Sequence, residues 1–482
     1  MHRRKAALRT ALLRHPIVDT KHFLTPHNPG TRLWRLSRVV QRDKFTRVFL
    51  LSAKLTAETS EQLIFESKEI PMKRFVSLAS VVLLAALLLA SFASAQEIRD
   101  VGPNGYVLVP ASSIAHPGDA GVRAHTNIQI YQPYLRPDAS QPPPGAETPA
   151  SLACVYKLVP QVSGCPIHGT TQNSSGGWGA VAIVDAFDNP NAEEDLATFS
   201  TQFGLPACTK ANGCFSQVYA DGSQPPNDPG GWSLEIALDI EMAHAFAPNA
   251  KIILVESKDN EDFNLYHAED VAAQLVQQAG GGTITNSWSG PEDAGEAAND
   301  VHFQARGIVY FASTGDRGSP AEYPAASPFI VAAGGTTVIR SGGNFTGESG
   351  WAGSGGGPSS FEPRPAYQDV IKSIVGNSRG IPDFSADANP ATGPAMYDAD
   401  GNFGWLQIGG TSVSSPLLAG VVNADRYRAR STSQELTGVY RYAKLHYRQL
   451  WRDETAGNNG FSCLPGWDFV TGIGSPVSPL GK

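Results

Sequence analysis

Residues 409–416 read Gly-Gly-Thr-Ser-Val-Ser-Ser-Pro, and Leu417-Leu418-Ala419-Gly420 continues them as the first turns of a buried helix. A serine at a strand-to-helix turn presents its Oγ at a surface, with backbone N–H groups of the helix start beside it to receive negative charge. Acyl transfer needs that geometry, which makes Ser412 a candidate nucleophile. The same residues also suit an ordinary Ser/Thr-rich N-cap followed by a proline in the first helical turn. The rest of the chain has to decide between the two.

The 482 residues suffice for two or three average domains or for one large α/β unit, and 41% hydrophobic residues allow a large core. Charge is unevenly spread. Residues 1–95 hold 16 Lys and Arg against 6 Asp and Glu, which leaves 21 against 39 and a net charge of −18 for residues 96–482. So acidic a body argues against nucleic-acid binding and fits a secreted protein that tolerates low pH.

The asymmetry has a visible source. Met72-Lys-Arg-Phe opens a basic segment, residues 81–90 are unbroken apolar, and Ala93-Ser94-Ala95 supplies the small residues of a cleavage site. Residues 72–95 therefore read as a secretory signal peptide, with Met72 as the true start and residues 1–71 as a non-native extension. Residues 75–95 are also long enough to span a bilayer. The Ala-x-Ala end and the lack of a following basic cluster favour cleavage over a membrane anchor. Cysteine usage agrees with export: Cys154/Cys165 and Cys208/Cys214 are spaced like small disulfide loops, with Cys463 left over. Neither pair has C-x-x-C metal spacing.

Residues 96–147 are extended and turn-rich, with a proline-heavy end, and read as an arm or linker. Beyond them short apolar runs at 180–184, 251–255, 283–286, 308–312 and 329–333 alternate with helical patterns. Continuous β-branched runs separated by helices predict an α/β fold, a doubly wound, mostly parallel sheet with helices on both faces, over residues 148–482. Ligands in such sheets bind outside the carboxyl ends of the strands. Asp185, Asn286 with Ser287, and Asp316 fall at or just beyond those ends.

The helix predicted after Gly231 carries Glu235 and Asp239 at i and i+4, one turn apart on one face. Among Leu234, Ala237, Leu238, Met242 and Ala245 the pair would be partly buried, and one carboxyl would favour its protonated form. The alternative is a solvated acidic face shared with Glu241. Asp316, in Phe311-Ala-Ser-Thr-Gly-Asp-Arg-Gly318, sits in a tight turn after a buried strand, where an aspartate commonly bonds its own backbone.

Taken together these blocks resemble the sedolisin family, the serine-carboxyl peptidases with a subtilisin-like fold. Gly410-Thr411-Ser412 followed by Pro416 matches that family's Gly-Thr-Ser-x-x-x-Pro signature. Glu235 and Asp239, followed by Ala247-Pro248, match its acid pair, and Ser313-Thr314-Gly315-Asp316 approximates its Ser-x-Gly-Asp. Residues 380–393, Gly-Ile-Pro-Asp-Phe-Ser-Ala-Asp-Ala-Asn-Pro-Ala-Thr-Gly, are similar to the family's approach to the active site. The resemblance implies that Glu235 is the general base for Ser412, that Asp239 orients it, and that a protonated Asp316 stabilises the oxyanion with the Ser412 N–H. A carboxylate base and a neutral carboxyl donor both imply acidic working conditions.

The resemblance further implies one structural Ca²⁺, held by the side chains of Asp453 and Asp468 and by carbonyls of Glu454, Leu464 and Gly466; hard oxygen donors suit that ion. Leu464 stands where the family commonly has glycine. Ser287-Trp288-Ser289 is similar to segments that line the family's cleft and pair with bound peptide as an added strand. A histidine triad is the weaker alternative: His168 precedes Asp185, the wrong order for the subtilisin family, and the helix that should carry the histidine carries Glu235. His244 reads as a packed or solvated helix residue.

Sedolisin relatives usually carry a large N-terminal prodomain, for which residues 96–147 are too few. The expectation is thus a secreted, monomeric, acid-active peptidase that acts on polypeptides and has no stable membrane association once the signal peptide is cleaved. A catalytically silent extracellular binding module and an esterase are the alternatives. All four of Glu235, Asp239, Asp316 and Ser412 are present, which disfavours the silent module.

Overall fold

Every residue of the Ala180–Ala186 strand is buried, because both faces of the sheet it belongs to are covered. Val181 and Ile183 pack with Ile236, Ile240 and Ala243 of one helix. Ala182 and Val184 pack with Leu265, Ala272 and Val276 of another on the opposite face. A strand that buries both faces needs apolar residues throughout rather than in alternation, which is what made these runs legible. The computed structural model describes residues 97–101, 104–134, 139–169, 171–425 and 427–478. The signal-peptide reading of 72–95 and the extension reading of 1–71 lie outside the described residues.

The central sheet has eight strands. Its order is Asn344–Gly350, Val331–Ser341, Ile308–Ser313, Gly282–Asn286, Ala180–Ala186, Lys251–Ser257 and Phe215–Tyr219, with Phe384–Asp387 added alongside Val331–Ser341. All pairings are parallel except the hairpin between Val331–Ser341 and Asn344–Gly350. The strand expected from residue 329 begins at Val331, because Ser327 and Pro328 make a turn in which the Ser327 Oγ accepts the Phe329 N–H. Parallel strands need crossovers, and the helices Ala192–Phe203, Trp232–Phe246, Asp262–Gln278 and Thr411–Ala424 flank the sheet. The fold is α/β and doubly wound.

Residues 97–134 add strands of their own. Glu97–Asp100, Gly105–Val109 and Gln129–Pro133 join Gly404–Gly409 and Ala395–Asp398 in a five-stranded antiparallel sheet. His125–Thr126 pairs antiparallel with Trp288–Ser289, each residue facing its partner in register. Cys154–Cys165 and Cys208–Cys214 are disulfide-bonded, with Cα–Cα distances of 5.4 and 4.8 Å, and Cys463 is a buried free thiol. Among the described residues no helix is long and apolar enough to cross a membrane.

Candidate active site

The Trp232–Phe246 helix is buried on all sides. The solvated acidic face considered for it is absent: Glu235, Asp239 and Glu241 are all fully buried. Glu241 accepts the Tyr397 N–H at 3.1 Å, so it serves a neighbouring strand. Glu235 and Asp239 have far less support. Neither oxygen of Glu235 has a hydrogen-bond partner among the described residues, and of the Asp239 oxygens only Oδ1 has one, the Ser287 hydroxyl at 2.7 Å. Asp185, at the carboxyl end of the Ala180–Ala186 strand, is equally buried and equally unpartnered.

Three carboxyls so placed cannot all ionise. Burial, followed by repulsion from Asp239 and Asp185, holds Glu235 well above the usual carboxylate range. Asp239 is raised by burial and partly relieved by the Ser287 hydroxyl. Asp185 is raised by burial, then by Asp239 and Glu256. Such groups share protons and titrate as a unit rather than one by one.

Ser412 lies in the first turn of the Thr411–Ala424 helix, immediately after the Gly404–Gly409 strand and Gly410. Its side chain is close enough to Glu235 to favour the charged form of that acid, while its Oγ contacts the Ser287 carbonyl at 3.3 Å. Catalytic hydrogen bonds are often long before substrate tightens them. The neighbouring serines are committed elsewhere: Ser414 Oγ accepts the Ala386 N–H at 3.1 Å, and Ser415 Oγ bonds Thr285 Oγ1 at 2.8 Å. Pro416 has no N–H for the Ser412 carbonyl, which lies 3.4 Å from the Ser287 Oγ. Of the three serines, only Ser412 faces the acids.

Asp316 follows the Ile308–Ser313 strand in a turn made possible by Gly315 at φ +105°. It is not bonded to its own turn. Its Oδ1 accepts the Thr411 N–H at 2.7 Å and the Thr411 hydroxyl at 3.0 Å, while Oδ2 has no partner among the described residues. Burial pushes Asp316 up to about 8, against the pull of the Thr411 bonds. A carboxyl whose one oxygen accepts twice and whose other is bare carries its proton on the bare oxygen. Gly410 shows where that oxygen points: a Cβ there would stand 2.6 Å from Asp316 Oδ2 and 2.0 Å from the Asn127 carbonyl oxygen. That carbonyl also accepts the Ser412 N–H at 3.1 Å.

Ser287, Trp288 and Ser289 pass beside the same residues, and all three are buried. The Ser287 carbonyl accepts the Asn127 N–H at 3.2 Å. The Trp288 indole donates to the Val184 carbonyl at 2.9 Å, so the ring packs inward and only its backbone faces residues 125–126. Of the histidines, His244 is buried against the Pro206 carbonyl at 2.8 Å, its pKa lowered by that burial. His168 contacts the Pro144 carbonyl at 3.1 Å. Neither approaches the acids through any bond the structure contains.

Of the five residues read as a cation site, Asp453 is bonded to Gly466 and Asp468 to Leu464 in the C-terminal loops. Asp453 Oδ1 accepts the Gly466 N–H at 3.0 Å, and Asp468 Oδ2 accepts the Leu464 N–H at 2.9 Å. Asp468 Oδ1 is saturated by the N–H groups of Val470 and Thr471 at 2.8 and 2.9 Å. The Glu454 side chain turns away to Ser475. Among these oxygens stands the Tyr447 hydroxyl, 3.1 Å from Asp453 Oδ1, 3.1 Å from the Gly466 carbonyl and 2.5 Å from the Ile473 carbonyl.

Two members of the site carry no local signal in the sequence: Asn127, which lies in a turn-rich arm, and the hydroxyl of Thr411, which stands in a motif whose chemistry belongs to Ser412. Asp185 does have a signal, its place at a strand end, but nothing local to it says that it joins Glu235 and Asp239.

No protein-family model matches the chain. It is 31% identical to kumamolisin from Bacillus sp. strain MN-32 over 375 residues, covering 69% of this chain and 62% of kumamolisin. It is 34% identical over 203 residues to sedolisin from Pseudomonas sp. strain 101, covering 36% of this chain and 34% of sedolisin. The chain thus spans less than two thirds of the length of these relatives. A structure of Pseudomonas sedolisin complexed with two molecules of pseudo-iodotyrostatin superposes with a TM-score of 0.57 at 24% identity, covering 69% of this chain and 95% of that one. In sequence and in its subtilisin-like fold, the chain belongs to the sedolisin family.

Proposed function

We propose that the chain is a serine peptidase that hydrolyses peptide bonds through an acyl-enzyme on Ser412. One observation carries this reading: the Ser412 N–H donates to the Asn127 carbonyl, and the bare oxygen of a protonated Asp316 borders the same space beside Gly410. In the mechanism Ser412 Oγ attacks the substrate carbonyl carbon while Glu235 removes its proton. Asp239, braced by Ser287, holds Glu235 and takes part of its charge. Asp316 and the Ser412 N–H hold the tetrahedral oxyanion, an interaction worth about 10²–10³-fold in rate per donor. Glu235 then returns the proton to the leaving amine. Asp185 buffers the pair as a third buried acid.

The protonation states set the pH dependence. The acid cluster must lose one proton to act as base, and Asp316 must keep its own. Because the Asp316 carboxyl is raised to about 8, its donor function is present below that value and lost as pH rises through it. The test is the pH–rate profile on a denatured protein substrate for the parent, Ser412→Ala and Asp316→Asn. Ser412→Ala should be inactive at every pH, and Asp316→Asn, whose amide donates without titrating, should lose the alkaline limb. Cleavage that Ser412→Ala retains in full defeats the proposal, and no cleavage by the parent at any pH leaves the silent-module reading. Hydrolysis of esters but not of peptides would favour the esterase.

Two disulfides accord with export, and secretion of an acid-active peptidase is the setting we infer. A structural Ca²⁺ in the C-terminal loops is part of the same proposal. Asp453, Asp468 and the carbonyls of Glu454, Leu464 and Gly466 offer the hard oxygens Ca²⁺ prefers, and the ion would supply stability only. Its binding requires the Tyr447 proton and the N–H groups now bonded to Asp453 and Asp468 to give way.

A further inference from the structure

Residues 125–133 thread the site as an extended chain. Upstream, His125 and Thr126 pair antiparallel with Ser289 and Trp288. Downstream, the Ile128 carbonyl accepts the Ser113 hydroxyl at 3.0 Å, and Gln129, Ile130 and Tyr131 pair with Gly409, Ile408 and Gln407. Between the clamps stands the Asn127–Ile128 bond, its carbonyl on the Ser412 N–H at 3.1 Å and its preceding N–H on the Ser287 carbonyl at 3.2 Å.

The Asn127 side chain enters a polar pocket. Its Nδ2 donates to Ser313 Oγ at 2.7 Å and to Ser289 Oγ at 2.9 Å. Ser289 passes its own proton to Glu322 Oε2 at 2.5 Å. Gly315 forms the floor, where a Cβ would come within 2.6 Å of Glu322 Oε2. Asn127, Ser289 and Ser313 are all essentially inaccessible to solvent. Both amide protons are thus used, each on a hydroxyl fixed by the fold. A leucine of similar size would leave both hydroxyls without a donor, and an ionised aspartate would set a second negative charge beside Glu322.

We propose that Ser289, Ser313 and Glu322 form the specificity pocket for the acyl side of the bond cut, that the pocket selects a carboxamide side chain, and that Asn127–Ile128 is the first bond Ser412 cleaves. The inference rests on the peptidase reading. Ser412 Oγ bonds to the Asn127 carbonyl carbon as Glu235 takes the hydroxyl proton. The C–N bond to Ile128 breaks as Glu235 gives that proton to the Ile128 nitrogen. Water then adds to the acyl carbon through Glu235, releasing the Asn127 carboxylate and restoring the Ser412 hydroxyl.

The test follows the full-length chain in acidic buffer by intact mass and N-terminal analysis. A new N-terminus at Ile128 is expected in the parent and absent from Ser412→Ala. Asn127→Leu should slow the cut by about 10⁴-fold, since a pocket built to hydrogen-bond rejects an analogue that cannot. Two peptides differing only in Asn or Leu before the cut bond, compared by kcat/KM, give the same ratio without relying on how that variant folds, and Ser313→Ala should shrink it. A chain that degrades added denatured protein yet keeps its own Asn127–Ile128 bond intact overturns this inference and leaves the peptidase standing. A chain that cuts neither overturns the peptidase reading. Equal rates for Asn and Leu remove the pocket's role.

Discussion

Two acidic regions of this molecule use the same residue types to opposite ends. Beside Ser412, Glu235, Asp239 and Asp185 are buried with almost no donors, and all three are held well above the ordinary carboxylate range. In the C-terminal loops Asp468 is also buried, but three backbone N–H groups point at its two oxygens and partly offset the burial. Supply of donors, rather than burial itself, separates an acid that keeps its proton from an acid that fastens a turn. An unsatisfied buried carboxyl is costly, and a fold keeps several together only where something else is gained.

The largest effect that sharpens the contrast is beside Ser412. Glu235→Gln keeps the shape and removes the proposed base, so kcat should fall by about 10³–10⁴-fold, while the melting temperature should hold or rise as a buried, unpartnered acid gives way to a neutral amide. A marked loss of stability in that variant would mean that Glu235 is structural and the contrast is misplaced. A smaller effect is expected in the loops. Asp468→Ala removes the acceptor for the Leu464, Val470 and Thr471 N–H groups and should cost roughly 2–4 kcal/mol of stability, with kcat unchanged at temperatures where the variant stays folded. Loss of kcat without loss of stability would show that the loop reaches the chemistry. Calcium added to the parent should raise the melting temperature, and added to Asp468→Ala should not.

How much of this was legible in the sequence depended on how local its cause was. The parallel strands declared themselves because burial on both faces demands unbroken apolar runs. The Glu235/Asp239 spacing places both acids on one face wherever a helix forms, and Gly410 and Pro416 bracket Ser412 in any strand-to-helix turn. The site's remaining members are matters of long-range assembly. Nothing in the residues around Asn127 says that its carbonyl will meet the Ser412 N–H, because that contact is set by pairing with Trp288–Ser289 and Gly404–Gly409, far along the chain. Asp185 could be placed at a strand end but not in the company of Asp239, since sequence does not tell which carboxyls share a cavity. The Tyr447 hydroxyl among the loop oxygens was likewise invisible, since it arrives from the preceding Thr432–Leu450 helix.

The surplus of buried acids also governs how tightly the molecule holds its shape. Elsewhere, Glu256 and Asp398 are raised to about 8, in both cases chiefly by burial, as Asp316 is. Each therefore binds a proton in the folded chain that it releases when unfolded near neutrality, which makes the hydrogen ion a native-state ligand obeying mass action. With folded pKa values above the unfolded ones, the stabilisation is complete below the usual carboxylate range and drains away as pH climbs through about 8. Thermal melts across that window should show a steadily falling midpoint, and a flat or rising one would contradict the linkage. Acidity, on this account, is part of the scaffold: neutral surroundings would slacken a protein that acid surroundings hold together.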